Sequence, residues 1–263
     1  MTSSRQSKLE RAFVLNRRSY RETSLLLEAF TPEYGRIGLV AKGARRGKAP
    51  LSAILQPFRP LLLSWRGSGD LLTLTLAEPD DFAYSLSTSL VKSGFYVNEL
   101  LLRLLHRHDP HPGLFDSYHE VLRKILIPGQ EEPALRIFEM RLLAAIGYGL
   151  SWDREAGSER PVEGGKFYQY RQKQGFVEYK GAQNSSVTVH GGTLTAMARE
   201  ALCEPEQLRE AKYLMRTILQ GYLGEKPLAS RMLYRRIPRK NASSKKSVGK
   251  VIVFGSSEKS VGR

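Results

Sequence analysis

The sequence predicts an α+β protein, because its apolar residues change their spacing along the chain. From Arg11 to Ala77 they alternate with a period near two, as in half-buried strands. From about Ser87 they recur at three- and four-residue steps, as on the buried face of a helix. Between Ser151 and Gly192 the helical spacing lapses before it returns. We therefore expect a β region first and then a helical region with a small insertion.

The N-terminal region predicts about five short strands separated by turn residues. The alternating apolar residues are Phe13 and Leu15; Leu25, Leu27 and Ala29; Ile37, Leu39 and Ala41; Leu61 and Leu63; and Leu72, Leu74 and Leu76. The predicted breaks are Asn16–Tyr20, Pro32–Gly35, the long segment Gly43–Ser52 and the hairpin signal Gly67–Asp70. Five short strands with one long connection after the third are typical of a small closed barrel such as the OB-fold. An open sheet of that size would leave long edges to protect.

The rest of the chain predicts helices around a small hairpin. Helices are expected at Val91–Leu105, Leu114–Ile125, Pro133–Ile146, Thr193–Cys203 and Pro205–Leu223, with a hairpin from Lys166–Arg171 and Gly175–Tyr179 and a further short segment at Leu228–Ile237. We divide the chain into an OB-fold domain at 1–80, a helical domain at 81–237 with its insertion at about 151–192, and a tail at 238–263. The tail is small, polar and basic, a composition that predicts flexibility.

The net charge is confined to the two ends of the chain. The protein has 41 Lys and Arg against 26 Asp and Glu, a formal charge of +15. Residues 1–48 carry 11 basic and 4 acidic side chains, residues 235–263 carry 9 and 1, and the segment between them carries 21 of each sign. This division predicts two basic surfaces on a neutral body and points to a polyanionic partner.

Several other classes of protein are disfavoured. The one cysteine, Cys203, excludes an intrachain disulfide and a cysteine zinc site, and its helical surroundings favour a buried thiol over a nucleophile. No apolar run approaches the ~18 residues of a membrane span, and the first residues lack an apolar signal core. We therefore expect a cytoplasmic protein.

The candidate catalytic and metal motifs each have a simpler explanation. Gly43–Ala49 resembles a phosphate-binding loop, but it is one residue short and ends in Ala where Ser or Thr would hold magnesium. His106–His111 contains possible metal ligands, yet it lies where a helix ends, and cations are favourable there. The acidic pairs Asp80-Asp81 and Glu131-Glu132 are adjacent and are not aimed at one substrate. We therefore expect no enzyme, no metal and no cofactor.

Basic residues alternate with tyrosines in the predicted loops of the barrel. This combination suits single-stranded nucleic acid, because cations neutralise phosphates and rings stack on unstacked bases. The candidate DNA-binding residues are Arg17, Arg18, Tyr20, Arg21, Tyr34, Arg36, Lys42, Arg45, Arg46 and Lys48. The alternative is an ordinary solvated surface of a basic barrel, with Tyr20 and Tyr34 packed inward.

A second candidate surface lies on the third predicted helix. Arginines beside apolar side chains can hold a peptide that ends in an aromatic residue and a carboxylate. The candidate residues are Leu135, Arg136, Phe138, Met140 and Arg141. The alternative is a core stripe with ordinary surface arginines.

Many short motifs, in order from about Ala12 to Ile237, resemble the bacterial recombination mediator family RecO. They are Ala12–Leu15, Glu22–Leu25, Phe30-Thr31, Gly35-Arg36, Val40–Arg45, Leu55–Phe58, Tyr96–Leu100, Pro133–Arg136, Phe138-Glu139, Gly147–Gly149 and Lys226–Arg231. The resemblance implies an N-terminal OB-fold and a helical domain with a small zinc-finger-like insertion. Many relatives have four cysteines near Ser151–Gly181, and this chain has none there, so the insertion must hold without zinc, as in the gammaproteobacterial branch.

The resemblance also implies a function in DNA repair and recombination. It implies binding to single- and double-stranded DNA, strand annealing, and help in loading RecA onto DNA coated with single-strand-binding protein, together with RecR and in some pathways RecF. In the family, the helical domain binds the acidic, phenylalanine-terminated tail of single-strand-binding protein. The alternative function is an RNA-binding or ribosome-associated OB-fold protein, because the same loops suit both polymers.

Overall fold

The N-terminal strands close into a five-stranded barrel, as predicted. The computed structural model describes residues 8–46, 51–81, 83–181 and 187–230. The strands are β1 (Glu10–Tyr20), β2 (Ser24–Thr31), β3 (Gly35–Ala41), β4 (Leu61–Arg66) and β5 (Leu71–Pro79). Their order is β1-β2-β3-β5-β4, the barrel closes by pairing β1 with β4, and β3 and β5 run parallel. This is the OB-fold arrangement.

The predicted turn at Asn16–Tyr20 is wrong, because these residues continue β1. Their backbone stays paired with β2 as far as Tyr20 opposite Ser24, after a register shift between Val14 and Asn16. The chain reverses only at Arg21–Thr23, where Arg21 has a positive φ of 51°. The polar composition of this stretch indicated a turn, but its side chains are polar because they face solvent beyond the packed part of the strand.

Strand β1 is buried on both faces from Ala12 to Leu15. Ala12 and Val14 point into the barrel core, and Phe13 and Leu15 point outward into a second core formed with the helices. The ring of Phe13 makes an edge contact with Tyr118, with their centroids 4.9 Å apart. The barrel and the helical region are therefore joined by an apolar interface.

The helical region contains the five main helices expected from the sequence and a small sheet. The helices are α1 (Val91–Leu104), α2 (Pro112–Lys124), α3 (Glu131–Ala145), α4 (Gly191–Ala198) and α5 (Pro205–Leu223). The predicted segment Leu228–Ile237 is described only as far as Ser230, so most of that prediction lies outside the described residues, as does the whole tail. Along the residues that the structure describes, none of the helices combines the length and apolar character needed to cross a membrane.

The insertion is a three-stranded sheet in place of the predicted two-stranded hairpin. Strands β6 (Phe167–Arg171) and β7 (Gly175–Glu178) form the expected hairpin, and β8 (Thr188–His190) pairs with the other edge of β6. The sequence did not reveal β8, because it has three residues and buries only Val189. Tyr168 and Phe176 are fully buried beneath this sheet, so apolar packing against the main core supports the insertion without cysteines.

The prediction of a buried Cys203 is wrong. Helix α4 ends at Ala198, five residues before the cysteine, and Glu200 adopts a positive φ of 51° that a continuing helix does not allow. Cys203 is consequently exposed in the connection to α5. The apolar spacing continued past the helix because Leu202, in the loop that follows, packs into the main core.

One buried amide connects the barrel to two helices. The side chain of Asn98 on α1 donates a hydrogen bond to the Leu15 carbonyl of β1 at 2.8 Å. It accepts another from the hydroxyl of Tyr118 on α2 at 2.7 Å. Burial raises the pKa of Tyr118 well above its ordinary value, so this hydroxyl stays protonated and remains a donor.

A second connection lies at the β2–β3 turn. The backbone nitrogen of His108, in the α1–α2 connection, donates to the Arg36 carbonyl at 3.0 Å, and Arg107 forms an ion pair with Glu28 of β2. Gly35 has a φ of +63°, and a β-carbon there would lie 2.1 Å from the Asp109 carbonyl oxygen. Only glycine satisfies both the turn and this close approach.

The last described residues are fixed on α1. Both carboxylate oxygens of Glu99 accept hydrogen bonds, at 2.8 Å each, from the backbone nitrogens of Ala229 and Ser230. One turn later, Arg103 donates to the carbonyls of Leu223 and Lys226. The chain after α5 therefore returns to the helix that contacts β1.

We predict that Asn98→Ala destabilises the protein strongly. It leaves the Leu15 carbonyl and the Tyr118 hydroxyl buried without a partner, which costs about 2–3 kcal/mol of the free energy of unfolding. Asn16→Ala, the same substitution at an exposed site on β1, should change that free energy by less than about 0.5 kcal/mol. Urea unfolding of the two variants checks this, and equal stabilities would contradict the role of the amide.

Candidate nucleic-acid interface

Seven of the ten predicted DNA-binding residues lie at one end of the barrel. This end contains the β1–β2 turn and the start of the connection between β3 and β4, and we call it the basic end. The seven residues are Arg17, Arg18, Tyr20, Arg21, Lys42, Arg45 and Arg46. The two segments meet because Leu25 of β2 pairs with Ala41 of β3, so Lys42 follows directly beside the β1–β2 turn.

A groove of about 310 Å³ opens at the basic end. Its lining is mainly polar and basic: Arg17, Arg18, Ser19, Leu25, Arg45, Ser52, Ala53 and Gln56. Residues of β1, of β2 and of the connection between β3 and β4, three of them arginines, therefore border one depression. Such a surface suits a phosphate backbone, which needs cations and donors at a groove wide enough for a strand.

Two of these arginines hold the loops together. Arg17 donates to the Ser52 carbonyl at 2.8 Å, and Arg45 donates to the Ser19 hydroxyl at 3.1 Å and to the carbonyls of Arg21 and Glu22. The Arg45 backbone nitrogen also donates to the Thr23 carbonyl at 2.9 Å. Their positive charge remains at the groove, but their hydrogen bonds fix its shape.

Other cations at the basic end do not stabilise the loops through hydrogen bonds. Arg18, Lys42 and Arg46 are exposed, and among the described residues none of them forms a side-chain hydrogen bond or an ion pair. Arg21 lies over the ring of Tyr20, with its guanidinium carbon 5.2 Å from the ring centroid. The ring of Tyr20 is partly exposed, so it is not packed inward as the alternative interpretation required.

Two predicted residues lie away from this cluster. Tyr34 and Arg36 flank Gly35, the first residue of β3, which is six residues or about 20 Å along the strand from Ala41. Tyr34 is 41% exposed and makes an edge contact with Trp65 at 5.2 Å. Arg36 is partly buried beside Glu28 and Arg107, and burial lowers the pKa of its guanidinium. Lys48 lies outside the described residues.

The predicted peptide-binding residues of α3 are mostly in the core. Leu135, Phe138 and Met140 are buried. Arg136 is only 5% exposed and forms an ion pair with Glu139 at 2.7 Å, and Glu139 also accepts a hydrogen bond from the Tyr96 hydroxyl at 2.5 Å. The Arg136 guanidinium is thus enclosed between α1 and α3.

Arg141 is at the surface, where it connects three elements. It contacts Glu120 of α2 and Glu200 of the α4–α5 connection, each at 2.5 Å, and the hydrogen bonds that it donates to Glu200 raise the pKa of the guanidinium. Lys124 contacts Glu120 at 2.6 Å, and this contact lowers the pKa of that carboxyl. Arg141 and Lys124 border a shallow depression between α2 and α3, with Ile137 at its base.

Sequence reasoning missed Lys124, although the spacing Glu120–Lys124 is a recognisable helical pair.

The remaining candidate, His106–His111, contains one contact between His111 and Asp109 at 3.1 Å. Within the described ranges, no three histidine, cysteine, aspartate or glutamate side chains converge where they could hold a metal ion.

Comparisons with known proteins cover both halves of the chain. The family model described as "Recombination protein O N terminal" matches residues 6–82, and "Recombination protein O C terminal" matches residues 91–232. The DNA repair protein RecO of Nitrosococcus oceani is 48% identical over 238 residues, which cover 90% of this chain and 97% of that protein. The RecO of Glaesserella parasuis is 44% identical over 229 residues, covering 87% and 95%, and that of Vibrio cholerae 43% over 233 residues, covering 88% and 96%.

Proposed function

Since this chain belongs to the RecO family of DNA repair proteins, we propose that it is a recombination mediator that handles DNA without chemistry of its own. It binds single- and double-stranded DNA, anneals complementary strands, and helps load RecA onto DNA coated with single-strand-binding protein, together with RecR and RecF. Its place is the cytoplasm, in association with the nucleoid.

The groove at the basic end is the observation that carries this proposal. Exposed Arg18, Lys42 and Arg46 contact phosphates, while Arg17 and Arg45 keep the groove in shape. Tyr20, supported by Arg21, offers a ring to a base. Annealing needs only that two polyanions be brought together with their bases accessible, so this surface is sufficient without a catalytic group.

We predict that Arg18→Glu with Arg46→Glu weakens binding of single-stranded DNA and flattens its dependence on salt. Each lost phosphate contact should reduce the slope of log K against log salt by about 0.7. Fluorescence anisotropy with a labelled oligonucleotide between 50 and 300 mM salt, taken as roughly the range where counterion release dominates, measures this slope.

The matched control carries the same charge change far from the groove. Lys173→Glu with Lys180→Glu alters two exposed lysines of the insertion and should leave most of the slope unchanged. Equal losses in the two double variants would show that the groove is not the site. Tighter binding to an RNA than to a DNA of the same sequence would favour the RNA-binding alternative.

For the acidic tail of single-strand-binding protein, we propose docking at the depression between α2 and α3. Arg141 and Lys124 offer cations to the peptide carboxylates at this depression. Glu120 and Glu200 hold Arg141 in position before the peptide arrives. Arg136 contributes indirectly, because it pairs with Glu139, and Glu139 accepts a hydrogen bond from Tyr96 of α1 that holds α3 against α1.

We predict that Arg141→Ala weakens binding of that tail peptide several-fold at an unchanged melting temperature, because the residue is partly exposed. Arg136→Ala should instead lower the melting temperature, since it leaves Glu139 buried without its ion pair. Isothermal titration and thermal unfolding separate the two effects. A peptide affinity that does not change in Arg141→Ala would remove this residue from the site.

We predict that deletion of residues 235–263 lowers DNA affinity, since this segment holds +8 of the net charge of +15. The salt slope should fall by more than in the Arg18/Arg46 double variant, because more cations are lost. A control in which the nine Lys and Arg residues of the segment become Gln keeps its length and should behave like the deletion. Unchanged DNA affinity in both variants would assign the tail to another partner.

A further inference from the structure

Helix α5 has an exposed face on which a tyrosine lies between two arginines. Arg209, Tyr213 and Arg216 follow one another at four- and three-residue steps, so they share one side of the helix. The opposite side is buried through Ala211, Leu214, Met215, Ile218 and Leu219. We call the exposed residues Arg209, Tyr213 and Arg216 the α5 triad.

In the described part of the chain, the α5 triad does not stabilise the fold through side-chain hydrogen bonds or ion pairs. Arg209 and Arg216 are exposed, and neither forms a side-chain hydrogen bond or an ion pair there. The neighbouring Lys212, by contrast, is engaged with Glu132 of α3 at 2.6 Å. Tyr213 is 61% exposed, more than any other large hydrophobic side chain among the described residues. Arg209 and Arg216 therefore flank the exposed ring of Tyr213 and are available to bind a ligand.

The surroundings of Tyr213 favour a base over an apolar protein anchor. A protein partner gains most from a tyrosine that enters a desolvated apolar patch. The exposed neighbours of Tyr213 on α5 are polar or charged, namely Glu206, Arg209, Lys212, Arg216 and Gln220. A single exposed ring is enough for a nucleobase, because each base stacks on one face, and flanking cations then meet the adjacent phosphates.

We propose that the α5 triad is a second binding site for single-stranded DNA, separate from the groove at the basic end. This inference rests on the proposed function, since a protein that anneals strands must hold two of them. Tyr213 stacks on a base of the second strand, and Arg209 and Arg216, about 10 Å apart along the helix axis, contact its phosphates. The site lies on the helical region, where residues 81–230 carry 18 basic and 18 acidic side chains.

A tryptophan placed in the triad tests the contact directly. In Tyr213→Trp, added oligothymidylate should quench the new fluorescence by stacking, beyond the change seen in the parent protein with its Trp65 and Trp152. Absence of additional quenching at saturating oligonucleotide would overturn the proposal. Quenching by an acidic peptide but not by the oligonucleotide would overturn it in favour of protein docking.

Annealing rates provide the functional test. Arg209→Glu with Arg216→Glu, and separately Tyr213→Ala, should slow annealing of complementary oligonucleotides about tenfold and leave the affinity for one short strand at the basic end nearly intact. Lys173→Glu with Lys180→Glu is the charge-matched control and should anneal normally. Normal annealing by both triad variants overturns the second site while the groove stands, whereas a parent protein that binds no DNA overturns the proposed function as well.

Discussion

Burial of β1 on both faces is the constraint on which the rest of the molecule depends. A strand of a small barrel normally has one side in the core and one in water, but Phe13 and Leu15 fill the core between barrel and helices. Because both faces are committed, a shift of one residue in register would exchange large and small side chains between two cores. Asn98 adds a directional contact to Leu15, so the apolar interface also has a fixed position.

With the barrel fixed against the helices, some arginines stabilise the fold and others remain exposed at the basic end. Near the helices, guanidinium groups such as Arg36 and Arg136 are enclosed, and each lies beside a carboxylate of the protein itself. At the basic end, Arg17 and Arg45 bind main-chain carbonyls, and such bonds neutralise little of their charge. A high arginine content thus supports the fold in one place and leaves cations available in another.

The sequence allowed the barrel, the helices and the general location of the basic surface to be predicted, because spacing and charge are local properties. The sequence did not show that Arg36 is partly buried and Arg18 exposed. Both arginines lie in predicted strand regions, and the difference in their burial depends on contacts with residues distant in sequence. The same holds for Arg136, whose burial against Glu139 depends on how α1 packs on α3. The exposure of Cys203 and the strand β8 were not predicted, because a loop residue, Leu202, continues the apolar spacing in one case and the strand has only three residues in the other.

The attachment of Ala229 and Ser230 to Glu99 determines where the remaining chain departs. Glu99 is the residue after Asn98, so the point of departure is one position along α1 from the contact with β1. Ser230 therefore lies near the junction of the two halves and not at a remote end of the helical region. Because the basic residues that follow are joined covalently at this point, a ligand that bound to them would have a raised effective concentration at the barrel.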